Sequence, residues 1–509
     1  MSFTPSSYQK AIFDWFANPS GPIVVDAKAG SGKTTTLVRG MHEMKKPGKR
    51  LFAAFNKSIV EELTRKLPPT VQCQTIHSLG YATLRSGYPS IKRWDLDNGR
   101  IKYRQLARDV KIPQEYGDRN AIQDLLLNVV NYAQLTLANT DPQSIAKMAN
   151  RFGLEIPVEV DEDWLSDQVT EMIKQGIELG KQGLISFADM LFLPASLNLS
   201  PPKYSLVAVD EAQDLSKVQM HLIMSAQAEG GNFIAVGDPR QAIYGFAGAE
   251  SDSFYQLQRH FKASVMPLNY CYRCPELVIK EAQRIVSDIE CPEGTRAGIV
   301  KTITDEEFKT SLRPGDMVLC RLTAPLVKLC FELIKRRIPA KVKGRDIGGQ
   351  IANTVRQIMK RCTDLERFPA FMYGWQESQL RVLRDKLGSE DQQQAVADKV
   401  ACLEICYAMF NPQTIDGFCD DIKSLFSDDK SPITLCTVHR AKGLENPRVF
   451  IIRPDKLPLT RKNQTADQAN QEMNLKYVAI TRAQEELYFV QPGTEDQQQA
   501  LFSGTISGT

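Results

Sequence analysis

Short apolar runs, each followed directly by glycine or acidic residues, recur along the chain. Residues 23–25 and 206–209 form two of these runs, and a third begins at residue 232 with the sequence NFIAVGD. Runs of this length between turn-forming residues are typical of strands buried in a parallel sheet. A helical pattern opens at residues 35–41, after the first run. Strands that alternate with helices predict an α/β fold with parallel sheets.

Two long segments lack this pattern of short apolar runs followed by glycine or acidic residues. Residues 88–185 are rich in helical periodicity, as in AIQDLLLNVVNYAQLTLA at 121–138. Residues 347–431 form the second segment, which at roughly 85 residues has the size of one small domain. We therefore expect two insertions between the sheet-forming parts of the chain.

Composition sets outer limits on the class of protein. The 509 residues favour about three units of ~150 residues, and 42% apolar with 24% charged residues indicates an ordinary globular protein. No apolar run reaches the ~18 residues of a membrane span, and MSFTPSSYQK has no apolar signal core. Eleven scattered cysteines favour reduced thiols, so we expect a cytoplasmic protein without a membrane partner. Cys271 and Cys274 alone lack the four ligands of a zinc or iron–sulfur site.

A glycine-rich stretch joins the first strand to the helix after it. Residues 27–34 read Ala-Lys-Ala-Gly-Ser-Gly-Lys-Thr, a phosphate-binding loop in which Ala27 replaces the usual first glycine. Its backbone N–H groups are suited to enclose phosphates, with Lys33 on the β/γ-phosphates and the Thr34 hydroxyl on Mg²⁺. The residues expected to contact the nucleotide here are Ala29, Gly30, Ser31, Gly32, Lys33, Thr34 and Thr35.

Three carboxylates follow the second strand, in VAVDEAQDLS at 207–216. Because ligands of open parallel sheets lie at the carboxyl ends of the strands, Asp210 and Glu211 should come beside the phosphate loop. Asp210 is then expected to hold Mg²⁺ through water, and Glu211 to orient or deprotonate an attacking water. A pair of surface acids after a strand is the alternative interpretation. The pair indicates nucleotide hydrolysis and leaves open what that hydrolysis drives.

Further motifs are spread over both halves of the chain. They are YQKAIF at 8–13, TIHSLGYATL at 75–84, GDPRQAIYGFAGAE at 237–250, LNYCYRCP at 268–275, TLCTVHRAKGLENPRVFII at 434–452 and LKYVAITRAQEELYFV at 475–490. With the phosphate loop and DEAQD, and in this order, they resemble the superfamily 1A DNA helicases of the UvrD/Rep/PcrA type. DEAQD is that family's acidic motif, and its Gln and second Asp are expected to connect the hydrolytic site to neighbouring motifs.

The resemblance implies two RecA-like domains with ATP between them and single-stranded DNA across both. Domain 1A would comprise 1–87 and 186–262, with the remaining 88–185 as the helical insertion 1B. Domain 2A would comprise 263–346 and 432–509, with a short 2B-like insertion at 347–431. A reduced 2B would alter contacts with duplex DNA and autoregulation.

Residue roles follow from matching positions in the motifs. The resemblance implies that Gln9 reads the adenine edge, Tyr272 stacks on the base and Glu445 faces the ribose. Arginine suits the charge on a transferred phosphoryl group because its planar fork binds oxygens in pairs. The residues implied to act on the γ-phosphate are Lys33, Glu211, Gln241 as its sensor, and Arg273 and Arg482 as arginine fingers. The implied cofactors are ATP and Mg²⁺.

Single-stranded DNA would lie on aromatic side chains, since every base offers a π-face. The candidate residues are Phe55, Asn56, His77, Tyr244, Phe246 and His439. Phe55 follows an apolar strand, so a place in the core is the alternative for it, and the same alternative holds for Tyr244 and Phe246.

Three positions depart from the family pattern. Relatives have an arginine against the adenine where this chain has Thr35, and a second arginine where this chain has Ala247. Lys28 stands where the family prefers glycine and adds charge near the phosphates. Nucleotide discrimination and the coupling between DNA and ATP are the properties that these changes affect.

Our main hypothesis is an ATP-dependent translocase and helicase that moves 3′ to 5′ on single-stranded DNA and acts at single-strand/duplex junctions. The polarity follows from AKGLE at 441–445, which resembles the UvrD-like branch. The alternative is a DNA-activated ATPase switch within a repair, replication or defence complex, without processive unwinding. RNA as the track stays open, because base stacking does not distinguish the sugar.

Overall fold

The computed structural model describes residues 4–493 except 55, 92, 118, 153, 155, 158, 244–251, 362–363, 385–389, 427–430, 461–463 and 465. Phe55, Tyr244, Phe246 and Ala247 therefore lie outside the described residues. The chain divides into two compact units, Met1–Tyr270 and Cys271–Thr509. Each unit is described by itself below.

The first unit contains a six-stranded sheet in the order β3-β2-β4-β5-β1-β6. Every strand pair in it is parallel. The strands are β1 Ile23–Ala27, β2 Arg50–Ala54, β3 Val71–Thr75, β4 Tyr204–Val209, β5 Gln227–Gly237 and β6 Ser264–Leu268. The helices are α1 Ser7–Ala17, α2 Lys33–Glu43, α3 Lys57–Thr64, α4 Ile76–Gly87, α5 Lys102–Asp109, α6 Arg119–Thr136, α7 Pro142–Phe152, α8 Glu162–Lys181, α9 Asp189–Ser196, α10 Lys217–Ala226 and α11 Ser253–Phe261.

Both faces of the first sheet are covered, which explains the nearly continuous apolar character of its strands. Val25 and Phe52 pack on one face in a cluster with residues of α1 and α2. Val24 and Val207 pack on the other face with residues of α4, α9 and α10. Successive residues of a strand point to opposite faces, so the strands are apolar at consecutive positions where both faces are covered, as at residues 23–25 and 206–209. The prediction of an α/β fold with parallel sheets is confirmed.

The predicted boundary between the sheet domains, after residue 262, was wrong. Strand β6 pairs in parallel with β1, with Ile23 opposite Ser264 and Ala27 opposite Leu268. The first unit therefore extends to Tyr270. Sequence patterns locate a strand but do not indicate which distant strand it pairs with.

The predicted helical segment of the first unit contains α5 to α8. The periodic run at 121–138 corresponds to α6, whose apolar side belongs to one buried cluster with Ala107, Ile145, Leu165 and Met172 from the other three helices. This cluster is separate from the two that cover the sheet.

The second unit contains another parallel six-stranded sheet, in the order β7-β12-β11-β8-β10-β9. Its strands are β7 Ile299–Ile303, β8 Met317–Cys320, β9 Ala340–Val342, β10 Ile433–Thr437, β11 Asn446–Ile452 and β12 Ala483–Val490. Its helices are α12 Glu276–Gln283, α13 Asp305–Ser311, α14 Ala324–Lys335, α15 Arg345–Ile358, α16 Phe368–Arg384, α17 Glu390–Phe410, α18 Ile415–Leu425 and α19 Ala466–Ile480.

The predicted 2B-like insertion does not bury a core of its own. Val355, Phe368, Leu403 and Phe418 from α15 to α18 belong to the same buried cluster as Leu435 of the sheet. The Asp398 carboxylate of α17 also accepts backbone N–H bonds at the start of α14, at 2.8–3.1 Å. The expectation of a small separate domain at 347–431 is therefore replaced by helices that complete the core of the second unit.

Among the described residues, no helix is long and apolar enough to cross a membrane.

Candidate functional site

The phosphate loop connects β1 to α2 at the carboxyl edge of the first sheet. Gly30 and Gly32 have φ of 67° and 77°, a backbone region in which residues with a side chain are strained. Gly32 directly precedes α2, whose first residues are Lys33 and Thr34. The N–H groups of a helix start and its dipole favour an anion at this position.

The carboxylates after β4 lie beside this loop, as the sequence predicted. The Thr34 hydroxyl donates to Asp210 Oδ2 at 2.7 Å, and Lys33 Nζ lies 3.3 Å from Glu211 Oε2. Main-chain pairing of β4 with β2 and β5, and of β5 with β1, sets this proximity. Four side chains predicted separately from two motifs therefore form one cluster.

Burial and like charge set the protonation of this cluster. Burial, and next the neighbouring Glu211 carboxylate, raise the pKa of Asp210 to about 6. Burial acts to lower the pKa of Lys33, but the carboxylates of Glu211, Asp238 and Asp210 outweigh it and leave that pKa raised. The Lys33 ammonium is therefore charged at neutral pH and is held among carboxylates that a phosphate group can replace.

The Thr34–Asp210 pair fits a magnesium ion. Both side chains offer hard oxygen donors, and their oxygens are 2.7 Å apart. Nucleotide-bound Mg²⁺ takes one or two protein oxygens and obtains the rest from phosphate and water. No cluster of three or more His, Cys, Asp or Glu side chains suited to a metal occurs in the described part of the chain, and a magnesium site of this kind does not need one.

Gln213, the Gln of DEAQD, links the acidic motif to the end of β5. Its Nε2 donates to Glu211 Oε2 at 2.6 Å, and its Oε1 accepts the backbone N–H of Asp238 at 3.1 Å. Gln241 Nε2 in turn donates to Asp238 Oδ2 at 2.7 Å. A Cβ at Gly237 would lie 2.5 Å from Gln213 Oε1, so a side chain at this position would have to displace the Gln213 amide. The connection expected of the Gln is present between Gln213 and Asp238, whereas Asp214, the second Asp of DEAQD, accepts from Gln213 Nε2 at 3.3 Å within the motif itself.

Gln9 contacts α2 directly. Its Nε2 donates to Thr36 Oγ1 at 3.1 Å, and its Oε1 accepts the Ser6 N–H at 3.1 Å in a capping box. Thr35 lies next to Thr36 on α2 and lines a cavity of about 760 Å³, which Arg39 also lines one turn further along the helix. Gln9 is therefore in contact with the helix that follows the phosphate loop.

Lys28 is buried within the phosphate loop. Its Nζ donates to both carboxylate oxygens of Asp26 at 3.1 Å. The charge of Lys28 also lowers the pKa of Asp238, which burial raises overall. The extra cation noted in the sequence thus lies close to the residues that follow β5.

The predicted arginine fingers occur close together in the second unit. Arg273 donates to Glu445 Oε2 at 2.6 Å and to the Thr481 carbonyl at 3.3 Å. Arg482 is 1% exposed and donates to the Thr481 hydroxyl at 3.1 Å and to the Leu444 carbonyl at 3.1 Å. Both guanidinium groups are therefore anchored on the turn at Thr481.

Glu445 and Tyr272 lie next to these arginines. Glu445 accepts from Gln484 at 2.9 Å as well as from Arg273, so the carboxylate predicted for the ribose is engaged within its own unit. Tyr272 is 51% exposed, as a side chain that stacks on a base must be.

Cys271 and Cys274 are buried on either side of Tyr272 and Arg273. The Cys274 N–H donates to Cys271 Sγ at 3.5 Å, and Cys274 Sγ donates to the Thr481 carbonyl at 3.6 Å. Hydrogen bonding with Cys274 lowers the pKa of Cys271 to about 7. These contacts give the two thiols a structural role at the base of the arginine turn.

One predicted nucleic-acid residue forms an aromatic surface with a residue that sequence reasoning missed. The ring of His77 stacks on Phe187, with centroids 3.9 Å apart and planes at 18°. Phe187 is 64% exposed. Burial lowers the pKa of His77 to about 4, so its ring is neutral at pH 7. The only local signal for Phe187 is a single aromatic residue in the sequence ISFADM at 185–190, and its exposure depends on the tertiary fold.

The remaining described candidates have local partners. Asn56 is the N-cap of α3, where its side chain accepts the Ile59 N–H at 2.9 Å. Burial, and then the charge of Arg321, lower the pKa of His439 to about 3. His439 is therefore a neutral ring, and Asn56 has a structural function whether or not it also contacts a ligand.

Two family models match the chain. The UvrD/REP helicase N-terminal domain matches residues 9–262, and the UvrD-like helicase C-terminal domain matches residues 419–492. The chain belongs to the UvrD/Rep helicase family. The phosphate loop, DEAQD and Gln241 of this UvrD/Rep-family chain lie in the first match, and Glu445 and Arg482 lie in the second.

Several curated proteins are similar to this UvrD/Rep-family chain. F-box DNA helicase protein 1 of Schizosaccharomyces pombe is 24% identical over 95% of the chain and 57% of its own length. ATP-dependent DNA helicase PcrA of Leuconostoc citreum is 20% identical over 92% of the chain and 79% of its own length. DNA helicase II of Haemophilus influenzae is 24% identical over 53% of the chain and 39% of its own length. The chain thus spans about half the length of most of the curated relatives it matches.

Among solved structures, an arterivirus nonstructural protein 10 (helicase) matches 96% of the UvrD/Rep-family chain and 63% of its own length. The sequence identity is 13% and the TM-score is 0.35.

Proposed function

We propose that this chain is an ATP-dependent DNA helicase that moves 3′ to 5′ along single-stranded DNA, with Mg²⁺ as its metal. The observation that carries the proposal is the cluster in which Thr34 contacts Asp210 and Lys33 contacts Glu211. Relatives that match over most of the chain are named DNA helicases. We place its activity on DNA in the cytoplasm, at junctions between single strands and duplex.

Nucleotide binding exchanges the partners within the cluster. Lys33 gives up its contact with Glu211 and neutralises the β/γ-phosphates, which leaves the Glu211 carboxylate able to orient a water molecule and accept its proton. Thr34 and Asp210 hold Mg²⁺, which supplies charge neutralisation on the phosphates. Phosphate therefore replaces a carboxylate at Lys33, and hydrolysis depends on that exchange.

The hydrogen bonds of Gln213 carry this exchange to β5. Gln213 contacts Glu211 on one side and Asp238 on the other, and Asp238 accepts from Gln241. A shift of Glu211 on loss of the γ-phosphate therefore reaches Gln241 through three successive hydrogen bonds. Hydrolysis is linked in this way to the segment that follows Gln241.

The exposed stack of His77 and Phe187 provides the surface for single-stranded DNA. Stacking of a base on an aromatic ring is sequence-tolerant and is worth about 1–3 kcal/mol per base, which suits a protein that moves along any sequence. His77 follows β3 at the carboxyl edge of the sheet, the same edge that carries the phosphate loop. Nucleotide and DNA sites are thus connected through one sheet.

Strand displacement on tailed duplexes tests the proposal. With ATP and Mg²⁺, the chain should separate duplexes that carry a 3′ single-stranded tail and leave those with a 5′ tail intact. The Lys33→Ala variant, which lacks the phosphate-binding cation, should separate neither. Separation from 5′ tails alone would contradict the polarity, and hydrolysis of ATP by Lys33→Ala at the normal rate would contradict the site.

A second candidate is a DNA-activated ATPase switch that works within a repair, replication or defence complex without processive unwinding. The observation that favours it is the shared core of α15–α18 and the second sheet, which leaves the 347–431 segment without a separate domain for duplex contact. The same assay decides between the two. The switch is supported if single-stranded DNA stimulates hydrolysis while no duplex is separated even with excess protein.

A further inference from the structure

A fully buried ion pair lies in the first unit, away from the phosphate loop. Lys102 Nζ is 2.5 Å from Asp189 Oδ2, and both side chains are 0% exposed. Removing two charges from water costs several kcal/mol per ion, and replacing such a pair with apolar residues is often neutral or stabilising. Stabilisation of the fold is therefore a weak explanation for the presence of this ion pair. The residues that surround the pair indicate what else it does.

The pair connects the helical segment to the start of α9. Lys102 begins α5 and donates to the carbonyls of Gly176 at 2.9 Å and Leu184 at 3.2 Å. Asp189 begins α9 and also accepts from the Tyr103 hydroxyl at 3.1 Å. The ion pair thus joins α5, α8 and α9 at one buried point.

Asp189 also fixes the loop that carries Phe187. Its Oδ2 accepts the Ser186 N–H at 2.6 Å, and its own N–H donates to Ser186 Oγ at 3.2 Å. These reciprocal bonds close a turn around Phe187, which is the 64% exposed member of the aromatic stack. A displacement of the Asp189 carboxylate must therefore displace the backbone on both sides of Phe187.

The other half of the stack is held against the same helix. His77 lies in the first turn of α4, and a Cβ at Gly80 of α4 would lie 1.9 Å from the Met190 carbonyl of α9. The two backbones are therefore in direct contact, with no space between them for adjustment. Asp189 and Met190 are adjacent, so the ion pair and this contact together set where Phe187 meets His77.

We propose that Lys102 and Asp189 are positioning residues that set the Phe187–His77 stack and so make the helical segment part of the single-stranded DNA site. The proposal rests on the function proposed above, in which bases stack on this surface. The ion pair touches neither nucleotide nor DNA. It acts only through the geometry of the Phe187 turn.

The test uses a double variant that removes both charges and keeps the volume, Lys102→Met with Asp189→Asn. Affinity of the full chain for a fluorescent oligothymidine is measured by anisotropy without nucleotide, together with unstimulated ATP hydrolysis and the thermal midpoint. We expect affinity to fall about tenfold, within the range of one lost base stack, with the KM for ATP and the unstimulated rate unchanged.

A double-mutant cycle separates positioning from general weakening. Phe187→Ala should lower affinity about tenfold, and adding the charge-removing pair to Phe187→Ala should lower it no further, because both act through the same ring. Tyr103→Phe, which removes one hydrogen bond to Asp189 and no charge, should lower affinity about twofold to threefold. This milder variant keeps the test usable if the double variant folds poorly.

A matched control and the contradicting results complete the design. Lys181→Met removes an exposed ion pair of the same helical segment and should change nothing. Additive losses in the cycle, or a loss of DNA affinity that only parallels a lower unstimulated rate, would overturn the positioning role. If Phe187→Ala itself leaves affinity unchanged, the stacking surface is wrong and the positioning role is overturned with it, while the tailed-duplex result is unaffected.

Discussion

Glu211 has a strained backbone conformation, and its carboxylate contacts Lys33 and Gln213. Its φ of 52° lies in the left-handed region, which costs a residue with a side chain about 1–3 kcal/mol. Lys33 and Gln213 contact the same oxygen, Glu211 Oε2. Strain of this kind persists where the surrounding structure demands it, and in the proposed function it positions the carboxylate that activates a water molecule.

Replacement of Glu211 should separate binding from chemistry. Glu211→Gln keeps the volume and the contact with Gln213 but cannot accept a proton, so we expect ATP hydrolysis to fall by at least ~100-fold with ATP binding retained. Lys33→Ala should lose both. Nucleotide affinity by fluorescence and steady-state hydrolysis measure these effects, and normal turnover in either variant would remove the site assignment.

The raised pKa of Asp210 makes magnesium-dependent nucleotide binding depend on pH. A proton on this carboxyl competes with Mg²⁺, so binding should weaken as pH falls below about 6 and be constant above it. Glu211→Gln removes a negative charge that raises this pKa, and the midpoint should move to lower pH. Protonation of ATP is the same in both proteins, so equal midpoints would contradict the prediction.

At the scale of single residues, the sequence predicted the chemical groups of the site better than it predicted which distant residues contact one another. Lys33, Thr34, Asp210 and Glu211 were found because phosphate and metal ligands need fixed residue types at strand ends. Phe187 was missed because a lone aromatic in a loop carries no signal of exposure. Its role becomes visible only when α4 and α9 bring it against His77.

For strands and helices too, the sequence predicted local features better than contacts between distant segments. The strands that carry the site appeared as apolar runs, because burial on both faces imposes that composition. The sheet to which β6 belongs was assigned wrongly, since its partner β1 is far away in sequence. Whether 347–431 forms its own core was equally hidden, because helices with apolar sides pack on a sheet or on one another with similar patterns.

The shared core predicts that α15–α18 unfold together with the second sheet. Phe418 is fully buried in that core, so Phe418→Ala should lower the free energy of unfolding by about 3–5 kcal/mol. Hydrogen exchange should then accelerate in β8 and β10 as well as in α15–α18. Faster exchange confined to α15–α18 would indicate a separate domain instead.

At the scale of the whole molecule, the residues predicted to act on the nucleotide belong to two different units. The phosphate loop and Glu211 belong to the first unit, and Arg273 and Arg482 to the second.

Replacement of Arg273 tests whether the second unit contributes to ATP hydrolysis. Arg273→Lys keeps the charge but loses the planar fork, and arginine fingers contribute about 10³–10⁵ to turnover, so we expect kcat to fall at least ~100-fold with ATP affinity changed less than about threefold. Arg296→Lys alters an exposed pair with Glu485 in the same unit and should be silent. Unchanged kcat in Arg273→Lys would place the finger elsewhere.

The neutral ring of His77 has a consequence for salt dependence. Ionic strength weakens protein–DNA complexes through counterions that charged side chains release from phosphates. An imidazole with a pKa of about 4 and a phenyl ring release none at pH 7. Titration with sodium chloride should therefore give parallel lines for the wild type and Phe187→Ala on a plot of log affinity against log salt. The contribution of these two rings to DNA affinity would then persist at salt concentrations that abolish the contacts of cationic side chains with phosphates.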